Sequence, residues 1–376
     1  MCGAAIATIL NQLKDYGPPW QHQPGTAFRR PARSTEMYCQ AGLNGSIIYS
    51  NLGSSFEYQS YIWVSIRQAR LFNPCTPIYL ICSSEALLPA SVSEEIVSSR
   101  VQTVDYASLS NEVLSTFRQK NYIQGTMSPD GNDKFNQYTS ERLLAVWALM
   151  DKLQLRDVIH LENDNMLYSA VSDLVSAMHT CDVHLAIPFP SVGLAVVGIA
   201  FIRAADALEP FIRFAISVFD MQPPKAIEYL GTEWINDMSL LGKFYHENVL
   251  STFVSEIPTK AYEARTRHLN ASRDGYFLEP LPFREGHAHS CIAEALPSTI
   301  FDSCVLGQYF GGTYGNPEKQ HYQEGRQYDP RGKQLWWRTA GVETHQVWVP
   351  YVDNLRIHNL HIHSKLLQNY TSLTLH

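Results

Sequence analysis

Short apolar runs alternate with segments of helical periodicity from about residue 45 onward. Strands are predicted at five apolar runs, 46–50, 77–82, 157–161, 183–188 and 194–202. Helices are predicted where apolar positions recur every three to four residues, at 58–71, 139–153, 172–178 and 204–219. Strands that alternate with helices form a mostly parallel sheet with helices on both faces. The pattern therefore predicts an α/β fold, with an irregular portion from about 255 to 350.

The first part of the chain lacks this periodicity. Gly17-Pro18-Pro19, Pro24-Gly25 and Pro31 interrupt it, as in a loop. We therefore expect an N-terminal arm over 1–44 that is poorly structured in part, followed by a single domain over 45–376.

Composition narrows the class of protein. The 376 residues are 45% hydrophobic, enough for a buried core, and carry a net charge of −7. A negative charge argues against nucleic acid as a partner, since phosphate-binding surfaces carry a basic excess. The chain has no run of 18 apolar residues, so no membrane-spanning helix is predicted. The first residues lack the basic region of an export signal.

Cysteine usage bears on the compartment. The seven cysteines are scattered, odd in number and without a CxxC pair, which favours reduced thiols over a disulfide framework or a zinc site. Glycosylation sequons start at Asn44, Asn270 and Asn369, but such tripeptides are frequent by chance. We therefore expect a soluble cytoplasmic protein, with the lumen of the secretory pathway as the alternative. The oligomeric state is not predicted.

Polar residues follow directly after the apolar run 157–161. Glu162 and Asp164 lie two residues apart there, with asparagines at 163 and 165. In an extended chain, residues two apart project to the same side, so both carboxylates can face one point beyond the strand. Convergent carboxylates suit a hard cation such as Mn²⁺ or Mg²⁺. The alternative is a solvated turn.

A second group of polar residues lies near the C-terminus. His361, His363 and Lys365 alternate with Leu360, Ile362 and Ser364, so an extended segment would carry all three on one face. Imidazole binds Mn²⁺, and a lysine ammonium pairs with phosphate. Opposite the carboxylates, these groups would form a clamp for a metal and a diphosphate. The alternative is a strand whose polar side chains face water.

The order of these segments resembles the nucleotide-sugar-dependent glycosyltransferases of the GT-A fold, and looks closest to the branch with bacterial and viral galactosyltransferase-like enzymes. The likeness covers about 45–365. Glu162-Asn163-Asp164 resembles their DxD motif, with glutamate in place of the first aspartate. Thr139-Ser140-Glu141-Arg142-Leu143 resembles the preceding helix, and Asn236-Asp237-Met238-Ser239-Leu240-Leu241 resembles a later segment with an aspartate beside the sugar.

The resemblance implies a Rossmann-like sheet and a role for each segment. The nucleotide sugar would be bound by Arg142, Glu162, Asn163 and Lys365. The metal would be bound by Asp164, Glu162, His361 and His363, with Asp164 favoured as the direct ligand and one of the two histidines as the other.

Asp237 is the candidate catalytic residue. In an inverting enzyme it would take the proton of the acceptor hydroxyl, with Glu233 in reserve, and in a retaining enzyme it would position the sugar. Asp237 also stands where a helix cap is expected, because an apolar helical run follows it. Asp302 and Gln308, beside the glycine pair at 311–312, are possible acceptor contacts.

The sequence thus predicts a metal-dependent hexosyl- or pentosyltransferase of glycan biosynthesis that uses Mn²⁺ or Mg²⁺ and a nucleotide diphosphate sugar, with UDP-sugars favoured. Its other partner would be a glycan or another hydroxyl acceptor. Two alternatives stay open, a glycoside hydrolase, which also uses two carboxylates, and a non-catalytic module that binds nucleotide sugars or glycans. No GxGxxG, P-loop or HExxH motif points to another class.

Overall fold

The structure of the protein is a computed structural model. It describes residues 45–53, 61–83, 90–124, 133–189, 194–233, 235–248, 254–256, 287–313, 328–342, 345–372 and 374–375. The expected arm over 1–44 lies outside these residues, and the boundary of the domain at 45 stays a prediction.

The described residues form an alternating series of strands and helices, as the sequence predicts. The strands are β1 Ser46–Asn51, β2 Ile78–Cys82, β3 Val101–Asp105, β4 Val158–Leu161, β5 Asn165–Leu167, β6 Leu185–Ile187, β7 Ile199–Ile202, β8 Val254–Glu256, β9 Thr299–Ile300, β10 Leu335–Val342, β11 His345–Val352, β12 Leu355–Ile357, β13 Asn359–His361 and β14 Thr374–Leu375. The α-helices are α1 Ile62–Phe72, α2 Ala90–Ser99, α3 Glu112–Gln124, α4 Asp133–Leu153, α5 Val171–Thr180, α6 Glu209–Phe219, α7 Pro223–Leu230, α8 Asp237–Asn248, α9 His287–Ala295 and α10 Val305–Gly311.

The central sheet has the strand order β3-β2-β1-β4-β7-β6-β8. The pairings β3–β2, β2–β1, β1–β4 and β6–β8 are parallel, whereas β7 runs antiparallel to both of its neighbours. This is a mixed α/β fold with a mostly parallel sheet, so the predicted fold class is confirmed.

Alternate residues of the central strands face two separate cores. Ile48 packs in a core with side chains of α4, α6 and α8. Its neighbour Ile47 packs in a second core with side chains of α1 and α5. Because both faces are covered, the central strands are buried and largely apolar, and this explains why they were predicted as apolar runs.

A second sheet lies in the C-terminal part, with the order β10-β11-β12-β9 and β14 paired with β11. The hairpin β10–β11 falls in the portion that the sequence predicts to be irregular, so that expectation is wrong for residues 335–342 and 345–350. The short strand β13 leaves this sheet and pairs antiparallel with β5. This pairing joins the C-terminal part to the end of the central strand β4.

Several predicted boundaries differ from the structure. The strand predicted at 194–202 forms only over β7, and the helix predicted at 204–219 is divided into a 3-10 turn, Ala205–Ala207, and α6. Pro210 accounts for the division, because it lacks an amide proton and is tolerated only in the first turn of a helix. The segment from α2 to α3 was not predicted.

The cysteines correct one expectation. Cys181, at the end of α5, and Cys291, in α9, form a disulfide, and Cys75 is also disulfide-bonded. The prediction of reduced cysteines is therefore wrong for these residues, and it no longer supports a cytoplasmic location. The sequence could not reveal the pair, because its members are 110 residues apart and spacing does not fix connectivity.

None of the helices in the described part of the chain combines the length and the apolarity that crossing a bilayer requires.

Candidate functional site

The acidic residues Glu162 and Asp164 lie where the central strand β4 ends. The backbone N–H of Glu162 still donates to the carbonyl of Gly198, and the N–H of Asn165 donates back to the carbonyl of Glu162, which closes a tight turn before β5. Both carboxylates therefore lie at the carboxyl end of a strand in the middle of the sheet. This edge is where ligands bind in open α/β sheets.

The pairing of β13 with β5 brings the C-terminal histidine to these carboxylates. His361 lies opposite Asn165 in this pair, and the N–H of Ile362 donates to the carbonyl of Asp164 at 2.9 Å. The imidazole Nε2 of His361 lies 2.8 Å from Glu162 Oε2 and 3.0 Å from Asp164 Oδ1. The predicted convergence of the carboxylate pair with a C-terminal histidine is therefore present.

Two cations flank the cluster. The ammonium of Lys365 contacts Asp164 Oδ2, and the guanidinium of Arg142, from α4, contacts Glu162 Oε1. Asp164 is only 5% exposed. Its burial opposes ionisation, but the charges of His361 and Lys365 outweigh it and hold the pKa of the Asp164 carboxyl well below its usual range. Asp164 is therefore an anion at neutral pH.

Asp237 is joined to the cluster through Arg142, whose Nε donates to Asp237 Oδ2 at 2.7 Å. Asp237 is fully buried, and its Oδ1 has no hydrogen-bond partner in the described part of the chain. Burial raises the pKa of its carboxyl, although Arg142 opposes the shift. A buried carboxylate with one unused oxygen beside a guanidinium is suited to accept a proton or a hydroxyl hydrogen bond.

The neighbouring Asn236 performs the capping that Asp237 could have performed. Asn236 Oδ1 accepts from the backbone N–H groups of Met238 at 3.1 Å and Ser239 at 3.2 Å, which are otherwise unsatisfied at the start of α8. Asn236 is therefore the residue that caps α8, and Asp237 is the first residue of the helix. Asparagine is as good a cap as aspartate, and the sequence alone gave no reason to prefer one over the other.

Asp302 lies beneath the histidine instead of lining an acceptor site. Asp302 is 1% exposed, and its Oδ2 accepts from the backbone N–H groups of His361 at 2.9 Å and Gly307 at 2.8 Å. Its Oδ1 accepts from Leu306 N–H at 2.9 Å. Both oxygens are engaged and buried, so the predicted acceptor contact does not fit the geometry. Asp302 instead fixes the backbone that carries His361.

His363 and Gln308 interact with each other. Gln308 Nε2 lies 3.0 Å from His363 Nδ1, and both side chains are half-buried, so the acceptor contact of Gln308 stays a prediction. The His363 ring lies beside the His361 ring, with centroids 4.5 Å apart, but the group of convergent donors contains only Glu162, Asp164 and His361. Of the two candidate histidines, the geometry therefore favours His361 as a metal ligand.

The remaining predicted residues lie at the edges of the cluster. Asn163 Nδ2 donates to Asn51 Oδ1 at 3.1 Å, at the carboxyl end of the neighbouring strand β1. Glu233, the reserve for Asp237, is exposed.

The donors of Glu162, Asp164 and His361 fit a hard divalent cation. One atom from each lies within 4.8 Å of the others. Two carboxylates and one imidazole form a mixed oxygen and nitrogen set, which suits Mn²⁺ and tolerates Mg²⁺.

Gly198 is a residue of the site that sequence reasoning did not identify. A β-carbon at this position would lie 2.8 Å from both Asn165 Nδ2 and His361 Nδ1. The site therefore requires a residue without a side chain here, because real β-carbons do not approach other atoms so closely.

No protein-family model matches the sequence, and no curated protein matches it. Solved structures that are similar to the chain include glycosyltransferases, as the sequence resemblance predicts. Mouse xyloside xylosyltransferase 1 is 9% identical, with a TM-score of 0.38 over 57% of this chain and 84% of that one. The galactosyltransferase LgtC, solved with donor and acceptor sugar analogs, is 12% identical, with a TM-score of 0.31 over 57% and 73%.

A cytidylyltransferase from Leptospira borgpetersenii is similar to the same degree. It is 8% identical, with a TM-score of 0.34 over 58% of this chain and 77% of that one. Superpositions this loose do not distinguish one reaction from another. A function for this chain therefore has to rest on its own side chains.

Proposed function

We propose that the chain is a glycosyltransferase that moves a hexosyl or pentosyl group from a nucleotide diphosphate sugar, in the first instance a UDP-sugar, to a hydroxyl of a glycan or another acceptor. The observation that carries this proposal is the convergence of Glu162, Asp164 and His361, beside Lys365, at the carboxyl end of the central strand. A divalent cation bound there would supply the positive charge that a leaving diphosphate requires.

In the proposed reaction, the bond between the anomeric carbon and the diphosphate oxygen breaks, and a bond forms between that carbon and the acceptor oxygen. The nucleoside diphosphate leaves with the electron pair of the broken bond. Lys365 now contacts Asp164. We expect its ammonium to turn from this carboxylate to the diphosphate when a donor binds, and there to stabilise the negative charge that grows on the leaving group.

Arg142 and Asp237 are proposed to serve the sugar side of the donor. Arg142 holds Glu162 and Asp237 together, so its position fixes the distance between the metal ligands and the buried carboxylate. If the reaction inverts the anomeric carbon, Asp237 Oδ1 takes the acceptor proton, which its raised pKa favours. If the reaction retains configuration, the same oxygen binds a sugar hydroxyl.

The electrostatics of Asp164 restrict the glycoside hydrolase alternative to another carboxyl as its acid. A hydrolase needs one carboxyl that is protonated at working pH, so that it can donate to the leaving oxygen. Asp164 has a pKa well below its usual range because His361 and Lys365 overcome the effect of burial. It is therefore unsuited to be that acid.

The proposal is tested by incubating the purified chain with a panel of UDP-, GDP- and CDP-sugars, with Mn²⁺ or with Mg²⁺, and measuring released nucleoside diphosphate. We expect turnover of at least one donor, its loss on chelation, and its loss in Asp164→Asn. Asp173→Asn, an exposed aspartate of α5, is the matched control and should retain activity. Hydrolysis of a glycoside without nucleotide would favour the hydrolase, and tight binding without turnover would favour the binding module.

A further inference from the structure

The sequon at Asn369-Tyr370-Thr371 lies on the surface of the protein. Asn369 belongs to the 3-10 helix Leu367–Tyr370 and is exposed. Its backbone N–H donates to the carbonyl of Leu366 at 3.1 Å. Its side-chain amide makes no hydrogen bond within the described part of the chain, so it is available for modification without breaking an existing contact.

The backbone under this asparagine is held by its neighbours. The Tyr370 hydroxyl donates to the carbonyl of Phe310 at 2.7 Å, and the Tyr168 hydroxyl donates to the carbonyl of Tyr370 at 2.7 Å. The tyrosine of the sequon is thus directed inward, while the asparagine faces outward. A bulky group on Asn369 would extend into solvent and leave the packing beneath it unchanged.

The disulfides are independent evidence for the compartment in which such a modification occurs. Cys181 and Cys291 are joined, and Cys75 is disulfide-bonded too. Stable disulfides form in oxidising compartments such as the endoplasmic reticulum and are rare in the cytosol. The same lumen contains the enzymes that glycosylate Asn-X-Ser/Thr sequons. A sequon alone can arise by chance. An exposed sequon in a chain that also has disulfides is better explained by glycosylation in an oxidising compartment.

We infer that Asn369 carries an N-linked glycan and that the chain matures in an oxidising secretory compartment. In the reaction, the amide nitrogen of Asn369 forms a bond to C1 of an oligosaccharide that is linked through a diphosphate to a lipid carrier. The bond between C1 and the diphosphate breaks, the lipid diphosphate leaves with the electron pair, and the amide proton passes to a base of the transferring enzyme. This inference is independent of the proposed glycosyltransferase activity.

The experiment produces the full chain in cultured eukaryotic cells with its own N-terminus. Glycans are removed enzymatically in heavy-oxygen water, which converts each glycosylated asparagine to a labelled aspartate, and the peptides are mapped by mass spectrometry. We expect the label at Asn369. Thr371→Ala should abolish it, while Thr371→Ser, which keeps the sequon hydroxyl, should retain it. Thiol alkylation without reductant should leave Cys181 and Cys291 unmodified by the alkylating reagent.

Two results would overturn the inference. The Asn369 peptide could be unlabelled in the wild-type chain, whether or not the other sequons are occupied. Alternatively, Cys181 and Cys291 could both alkylate without reductant, which would place the chain in a reducing compartment. Because occupancy is measured on peptides, a loss of stability in Thr371→Ala does not obscure the outcome, and the serine variant provides the comparison.

Discussion

Gly198 shows how strongly the cluster depends on individual residues. A methyl group there would meet Asn165 Nδ2 and His361 Nδ1, each at 2.8 Å. Both side chains are engaged elsewhere, since His361 Nε2 contacts Glu162 and Asp164, and Asn165 Oδ1 accepts from Asn359 Nδ2 at 3.1 Å. The glycine therefore keeps the imidazole in place without being a ligand itself.

We expect Gly198→Ala to weaken binding of Mn²⁺ and to destabilise the fold by about 1–3 kcal/mol, the usual effect of overpacking. Binding is measured by calorimetry and stability by urea unfolding. Gly341→Ala is the matched control, since its β-carbon would meet nothing within 4 Å, and it should leave both quantities unchanged. Unaltered Mn²⁺ affinity in Gly198→Ala would contradict the close packing at this position.

Asp302 is the second residue that supports His361 without being a ligand. Replacing Asp302 by Asn leaves one oxygen to serve three backbone N–H groups. We expect about 1–3 kcal/mol lower stability and, because the His361 backbone loosens, roughly 10–100-fold weaker Mn²⁺ binding. Asp329→Asn, at an exposed position, is the control. If stability fell in Asp302→Asn while Mn²⁺ affinity did not change, Asp302 would have no positioning role.

At the residue scale, the sequence predicted which residue types meet but not all of their roles. Glu162 and Asp164 were predicted as ligands because their spacing places both on one side of the chain at a strand end. His361 and His363 were predicted as alternatives because both lie on one face of an extended segment near the C-terminus. The choice between His361 and His363 depended on the register of β13 against β5, which is a long-range pairing. Asp302 was misassigned because a polar residue beside glycines suggests a binding loop as readily as a buried support.

At the element scale, the disulfide between α5 and α9 joins two helices that are far apart in sequence. A crosslink across 110 residues removes conformational freedom from the unfolded chain, and such bonds stabilise by about 2–5 kcal/mol. We expect the double variant Cys181→Ser with Cys291→Ser to lose stability by this amount in urea unfolding.

The free thiol Cys304 supplies the control, since Cys304→Ser leaves the disulfide intact. This variant should still be destabilised by reductant as the wild type is, whereas the double variant should be less sensitive. Equal sensitivity to reductant in all three proteins would indicate that the bond between α5 and α9 contributes nothing to stability.

Elements that are buried on both sides were predicted well, and partly exposed ones were not. Strands β1, β2 and β4 are largely apolar, and α4 has a clear apolar stripe. In β10 most side chains are exposed, so its sequence lacks the apolar alternation of a half-buried strand. The strands β5 and β13 are only three residues long, too short to carry a pattern, although their pairing builds the site.

At the scale of the whole molecule, two buried histidines make stability depend on pH. Burial lowers the pKa values of His160 and His358 from 6.5 to about 3, so both are neutral in the native state. Below about pH 6.5 the unfolded chain binds protons on these residues and the native chain does not. Stability is therefore lost progressively as the pH falls from 6.5 towards 3.

We expect each histidine to lower the free energy of unfolding by about 2 kcal/mol when the pH falls from 7.5 to 5.0. The reason is that each pH unit below the pKa of the unfolded chain lowers stability by about 1.4 kcal/mol for a group that stays neutral in the native state. His160→Asn keeps an amide donor where Nδ1 lies 3.1 Å from the carbonyl of Ile48. Urea unfolding at both pH values should show a loss that is smaller by about 2 kcal/mol in this variant than in the wild type. An identical loss in both would show that His160 is not buried as a neutral group.

The sequence predicted the class of the sheet, because alternating strands and helices leave few arrangements of a parallel sheet. It did not predict the strand order or the reversed direction of β7, which follow from contacts between distant segments. The same contacts bring the C-terminal strand back to the end of β4. The site is therefore a product of the whole fold, even though its ligands were predicted from short segments.

The most direct test of the site is the stoichiometry and affinity of Mn²⁺ binding, measured by titration calorimetry. We expect one ion per chain. Asp164→Asn and His361→Gln should each weaken Mn²⁺ binding by more than the roughly 10–100-fold that loss of a supporting group costs. His363→Gln should bind Mn²⁺ nearly as the wild type does. If the wild type did not bind Mn²⁺, or if His361→Gln bound it as tightly as the wild type, the assignment of Glu162, Asp164 and His361 as a metal site would be contradicted.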